Sequence, residues 1–184
     1  IRRKIEGGPK LHGRFDTPKS FDRLQMVDAR DELPWIHEAL RGVRTQLDPQ
    51  KALLGFAGAP FTLLSYLAEG ETSRLYPKTK ALLWNEPKTA EKVLEMLAEQ
   101  VGQYLVAQLE SGADAVQFFD TWAGLLSPED YERWAFPYAK RVAEIVTGAG
   151  GRCIYYLNDE QRQLALVEGK DVAHWPRLGS TDSA

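Results

Sequence analysis

The chain has 184 residues, 43% hydrophobic and 27% charged, with 23 basic and 26 acidic side chains and a net charge of −3. That is the balance of one soluble globular domain with a sizeable core. No basic stripe interleaved with aromatics marks a nucleic-acid surface, no apolar run approaches the roughly 20 residues of a membrane span, and the single cysteine, Cys153, excludes an internal disulfide or a CxxC metal knuckle and suits a reducing cytoplasm.

The N-terminal IRRKIEGGPK has no apolar signal-peptide core and no initiator Met, which points to a chain that begins inside a longer protein. The first 33 residues are polar and broken by Gly and Pro, and read as a loop with one short helical turn. From Pro34 the pattern is helical. Ile36, Ala39, Leu40, Val43 and Leu47 fall on one face, and Pro34 suits a first turn. Asp48-Pro49 ends that helix. ALLGF (52–56) is a short apolar run without alternation, as expected of a strand buried on both faces of a parallel sheet. Helices are predicted from Pro60 to Ala68, from Lys78 to Trp84 and from Pro87 to Glu110. The last buries Ala90, Val93, Leu94, Leu97, Val101, Tyr104, Leu105 and Leu109, with Gly112 placed as its cap. AVQFF (115–119) is a second strand. Ser127-Pro128-Glu129-Asp130 then opens a helix with a capping hydroxyl, a proline at N1 and two acids on the positive end of the dipole. Pro137 kinks or restarts that helix, which runs to about Val146. RCIYYL (152–157) is a third strand, and QLALVE (163–168) a short helical stretch in the tail.

Strands joined by helices run parallel with right-handed crossovers, so the chain is α/β: a doubly wound sheet or part of a (β/α)8 barrel. Three strands alone would leave two open edges with unpaired backbone groups. There is no GxGxxG after a strand, no GxxxxGK[ST], no GxSxG and no HExxH. GAGG (148–151) ends a helix rather than cradling a phosphate. His12, His37 and His174 are scattered, and read as surface or loop residues rather than metal ligands. The polar groups that remain sit at strand C-termini, where parallel α/β folds bind ligands. The turn 57–60 offers helix N-terminal N–H groups that suit an anion. Tyr66 lies one turn further on, and by itself reads as a packed tyrosine. Asp120 and Thr121 follow the second strand, where an acid and a hydroxyl could cap or bind.

The stretch GFAGAPFTLLSYLAEG (55–70) closely resembles the signature of the uroporphyrinogen decarboxylase family. AVQFFDTWAGLLSPEDYERWAFPYAKRV (115–142) resembles the family's second block. KTKALLWNEP and, more loosely, TPKSFDRLQMVDARDELPWIHEALRGVR agree as well, in order from Thr17 to Asn158. The resemblance implies a TIM barrel that decarboxylates the four acetate side chains of uroporphyrinogen III to give coproporphyrinogen III. It implies no metal or organic cofactor, a homodimer for the full-length family, and no nucleic-acid or membrane partner. It makes Tyr66 and Thr121 substrate-binding residues, with Phe119 an apolar wall of the cleft. It gives Asp120 no role beyond bracing its loop.

The family's arginine-bearing motif, the aspartate that faces the pyrroles and the C-terminal histidine block have no counterpart here, and His174 in DVAHWPRLG is not assigned the histidine's role. On this reading residues 1–158 are a partial barrel without its catalytic carboxylate. Residues 159–184 are a divergent tail, disordered or frameshifted, and the chain alone is expected to lack activity. Two alternatives stay open. One is a related barrel that transfers methyl groups to a corrinoid or thiol with zinc held by His and Cys. The other is a non-catalytic remnant that binds a tetrapyrrole or a partner through its open edges.

Overall fold

A computed structural model describes residues 15, 17–70 and 75–157, and the backbone of 165–167. Two short helices, α1 (Pro18–Phe21) and α2 (Ala29–Glu32), precede α3 (Pro34–Gln46). Strand β1 (Leu54–Gly58) leads into α4 (Pro60–Glu69). Helices α5 (Pro77–Asn85) and α6 (Pro87–Glu110) then carry the chain to β2 (Ala115–Asp120). A 3-10 turn at Ala123–Leu125, α7 (Pro128–Trp134) and α8 (Phe136–Gly148) lead to β3 (Cys153–Leu157), and a short β4 (Ala165–Val167) follows.

The sheet order is β1-β2-β3-β4. The first three strands are parallel and the crossovers are helical, as expected. β1 begins and ends two residues later than the apolar run suggested, because Gly58 and Ala59 extend its pairing: Ala59 N–H donates to the Phe119 carbonyl at 2.8 Å. The predicted helix over QLALVE is corrected, since residues 165–167 form a strand antiparallel to β3 with Tyr155 opposite Ala165 and Cys153 opposite Val167. One of the two expected open edges is thereby paired.

The other edge is also managed. Ala59 bonds toward β2, so in a parallel ladder the alternate residue Phe56 turns its N–H and C=O outward. The buried Gln108 of α6 satisfies both. Its Oε1 accepts from Phe56 N–H at 2.8 Å and its Nε2 donates to Phe56 O at 3.0 Å. Position 55 is glycine for the same reason, because a Cβ there would lie 2.5 Å from Gln108 Oε1. Gln100 clamps the extended backbone at Val27 in the same way, through 2.8 Å bonds to its N–H and C=O.

Helix α6 has the predicted limits, and its stripe is the centre of the core. Ala90, Val93, Leu94, Val101 and Leu105 are buried, packing with Leu64 of α4, Val116 and Phe118 of β2, and Val142 and Val146 of α8. Glu110 is its last residue and Ser111 its cap, and Gly112 takes φ +108, a turn out of the helix that a side chain would strain. The predicted helix restarts at Pro137, one of the two expected outcomes: α7 ends at Trp134, Ala135 is the junction, and the Pro137 ring fits the first turn of α8. The Ser127 cap is observed, its Oγ accepting from Asp130 N–H at 3.1 Å.

The stripe predicted for α3 is not a buried face: Val43 is 47% exposed and Ala39 is exposed. His37, read as a surface residue, is instead the buried anchor. Its ring nitrogens lie 2.8 Å from Ser111 Oγ and 3.2 Å from the Ala29 carbonyl, joining α3, α6 and α2. Arg30 reinforces this with two bonds to Glu110, 2.9 and 2.6 Å. His12 and His174 lie outside the described residues.

Candidate substrate site

The helices cover one face of the sheet and leave the other open. Burial alternates along β1, β2 and β3, so Leu54, Phe56, Gln117, Phe119, Ile154 and Tyr156 all turn to the open side. Phe56 is 66% exposed there. The expectation of strands buried on both faces is thus met on one face by the described residues. The apolar character of the second face is what a closed barrel interior requires. Register puts Gly58, Phe119 and Tyr156 side by side near the strand C-termini. Phe119 stands between Phe56 (ring centroids 6.2 Å, edge-on) and Tyr156 (5.7 Å, tilted), in a row of three rings on the open face. Phe56 and Tyr156 were missed because pairing Phe119 with its neighbours needs the strand register, which is not readable from one strand at a time.

Tyr66 projects from the second turn of α4 and is 38% exposed, neither packed away nor free. Its ring meets Trp122 edge-on at 6.4 Å, and Trp122 also packs against Tyr76 at 4.8 Å. Thr121 is half-buried and sits between Asp120 and Trp122 on the loop after β2. The fold thus brings Tyr66 to the segment that carries Thr121, with Trp122 as the joint. Phe119 belongs to the aromatic row rather than to this cluster.

Below the cluster lies a polar network. Asp120 is wholly buried on the helix side of the sheet. Thr62 Oγ1–H donates to its Oδ1 at 2.9 Å, and Tyr155 O–H to its Oδ2 at 3.0 Å. Tyr131 O–H reaches Tyr155 at 3.3 Å, while Trp122 N–H donates to Thr62 Oγ1 at 3.3 Å. Burial pushes the Asp120 carboxyl up to about 6, against the pull of the Thr62 hydroxyl, the Tyr155 hydroxyl and the Thr62 backbone N–H. Burial and the Asp120 charge push the Tyr155 phenol well above its usual range.

The predicted anion site at the start of α4 is therefore corrected. The first-turn Thr62, side chain and N–H together, faces the protein's own carboxylate. Thr62 and Tyr155 carried no sequence signal of their own, because each reads as an ordinary helix or strand residue.

At the far end of α4, Gly70 takes φ +77 in the cap. Glu69 is buried and accepts from Thr79 N–H at 2.9 Å and Thr79 Oγ1 at 3.0 Å. Lys78 Nζ reaches the Glu69 carbonyl at 3.2 Å. These bonds fix α5 against the helix that bears Tyr66. Burial pushes the Tyr76 phenol up to about 12, with Tyr66 and Glu69 adding to the effect. Among the described residues no group of three His, Cys, Asp or Glu side chains could hold a metal ion, and no helix is long and apolar enough to cross a membrane.

The family model described as uroporphyrinogen decarboxylase (URO-D) matches residues 2–172, nearly the whole chain. The chain belongs to the uroporphyrinogen decarboxylase family. Membership in that family makes the three parallel strands and their helices an arc of a TIM barrel. The uroporphyrinogen decarboxylase of Carboxydothermus hydrogenoformans is 37% identical over 167 residues, which cover 90% of this chain and 48% of that protein. The one from Roseiflexus sp. strain RS-1 is 40% identical over 144 residues, 78% of this chain and 41% of its own length. The one from Synechococcus sp. strain CC9605 is 39% identical over 139 residues, 76% and 40%. The chain thus spans less than half the length of these relatives.

Proposed function

We propose that the full-length protein bearing these residues is a uroporphyrinogen decarboxylase. It replaces each acetate side chain of uroporphyrinogen III by methyl, with loss of CO2 and uptake of one proton, to give coproporphyrinogen III. The observation that carries this reading is family membership across residues 2–172. The site geometry supports it. A row of rings, Phe56, Phe119 and Tyr156, offers an apolar face to a large macrocycle, and a partly exposed phenol, Tyr66, packs on Trp122 of the loop that follows β2.

In this reading Phe119 walls the cleft. Tyr66 donates its O–H to a substrate carboxylate, and the Thr121 hydroxyl does the same from the loop after β2. A protonated pyrrole takes up the electron pair of the breaking C–C bond, so the substrate is its own electron sink. The protein's share is then position and electrostatics. The open face of β1–β3 carries no charged side chain among the described residues. The cations that hold eight carboxylates and the acid that faces the pyrroles must come from elsewhere in the protein. The full-length protein is a homodimer in this reading.

A methyl-transferring zinc barrel is the less favoured reading. Cys153 is fully buried in β3 and burial pushes its thiol up to about 12, which opposes the thiolate a zinc ligand must supply. Product analysis tests the proposal. The full-length protein given uroporphyrinogen III should release CO2 and form coproporphyrinogen III through intermediates with seven, six and five carboxylates. No decarboxylation, with methyl transfer from a corrinoid or thiol donor instead, would overturn it.

A further inference from the structure

Thr62 uses its one hydroxyl twice. It donates to Asp120 Oδ1 at 2.9 Å and accepts from Trp122 N–H at 3.3 Å. Those two residues are the immediate neighbours of Thr121, so one buried side chain of α4 holds the loop on both sides of it. Thr62 is also four residues before Tyr66, on the same face of α4 and one turn below it. Tyr66 in turn meets the ring of Trp122. The three contacts form a path from Asp120 to Thr62 to Trp122 to Tyr66, and the α4 backbone between Thr62 and Tyr66 closes it into a ring. Its base is fixed to β3 by the Tyr155 bond to the second oxygen of Asp120.

We propose that Thr62 is a positioning residue that sets the spacing between Tyr66 and Thr121. This rests on the reading of those two side chains as substrate-binding groups. Only a group with both a donor and an acceptor on one atom can fill the place. Serine keeps both, and valine keeps the shape and loses both. Thr62 touches no substrate. Its effect on turnover runs through the geometry of two others, and a displacement of about 1 Å at a reacting site can cost up to 100-fold in rate.

The test is kinetic and uses the full-length protein with uroporphyrinogen III. Thr62→Val should lower kcat/KM about tenfold or more, while Thr62→Ser should stay within about twofold of the wild type. Tyr66→Phe should cost clearly less in the Thr62→Val background than in the wild type, because the phenol is already misplaced. A Thr62→Val protein that melts earlier but keeps its kcat/KM, or effects that simply add, would overturn the proposal and leave Thr62 a structural cap. If Tyr66→Phe and Thr121→Ala each leave turnover unchanged in the wild type, the site reading fails and the proposal falls with it. Should Thr62→Val not fold, amide exchange of wild-type Trp122 decides. A protected Trp122 N–H is expected, and exchange at the rate of an open loop overturns the proposal.

Discussion

Replacing Asp120 by Asn should flatten the dependence of stability on pH between about 4 and 6. In the folded chain burial pushes this carboxyl from 3.8 to about 6. The native state therefore holds its proton more tightly than the unfolded chain does. The stabilisation that follows is fully present below the unfolded value and is lost as pH rises through about 6. A difference of roughly two units corresponds to about 3 kcal/mol, at about 1.4 kcal/mol per unit. Because the carboxyl is wholly buried, solvent screening does not reduce the figure. Asn keeps the size and an acceptor for Thr62, and removes the titration.

Urea unfolding of both proteins at several pH values from 4 to 7 supplies the comparison. Other carboxyls titrate in both proteins and cancel in the difference. The wild type should lose about 2 kcal/mol more than Asp120→Asn over that range, the rest of the difference lying below pH 4. Parallel curves would show that burial does not outweigh the Thr62 and Tyr155 bonds at this carboxyl, and would refute the reasoning.

Three further outcomes follow from the packing. Gly102→Ala should destabilise the protein by about 1–3 kcal/mol in thermal or urea unfolding. The new Cβ would lie 2.6 Å from Ile145 Cδ1 and 2.9 Å from its Cβ, which cannot swing away. Gln108→Leu should cost about 1–3 kcal/mol by leaving the outward N–H and C=O of Phe56 without their partner, and should speed amide exchange at Phe56. His37→Leu should loosen α2 and α3 from α6, seen as faster exchange in residues 29–46 with α6 unchanged.

How much of this was legible in the sequence depended on whether the signal was local. Helix α6 was legible to the residue, because 24 positions repeat one stripe between a proline and a glycine. The Ser127 cap was legible because capping is chemistry within three residues. The face of α3 was misread because periodicity says which side is apolar, not whether anything covers it. His37 was misread because a buried histidine needs partners, Ser111 and the Ala29 carbonyl, and Ser111 is 74 residues away. QLALVE was misread because three residues carry too little pattern to outweigh pairing with β3.

The site divides in the same way. Tyr66, Thr121 and Phe119 are proposed through resemblance, not through their surroundings. The Thr62–Asp120–Tyr155 network joins α4, β2 and β3 across 58 and 35 residues of sequence, and only the fold brings those side chains together. The turn at 57–60 shows the limit of a motif. Its Ala59 N–H is taken by the Phe119 carbonyl, Pro60 has none to offer, and the Thr62 N–H that follows faces the protein's own Asp120.

If these strand ends form one side of a uroporphyrinogen cleft, as proposed, Tyr66 touches the substrate. Turnover of uroporphyrinogen III by the full-length protein, wild type against Tyr66→Phe, measures it most directly. Losing one hydrogen bond to a charged carboxylate should lower kcat/KM about tenfold or more, with the melting temperature little changed. An unchanged kcat/KM would mean that Tyr66 only packs against Trp122, and the cleft would have to be sought elsewhere.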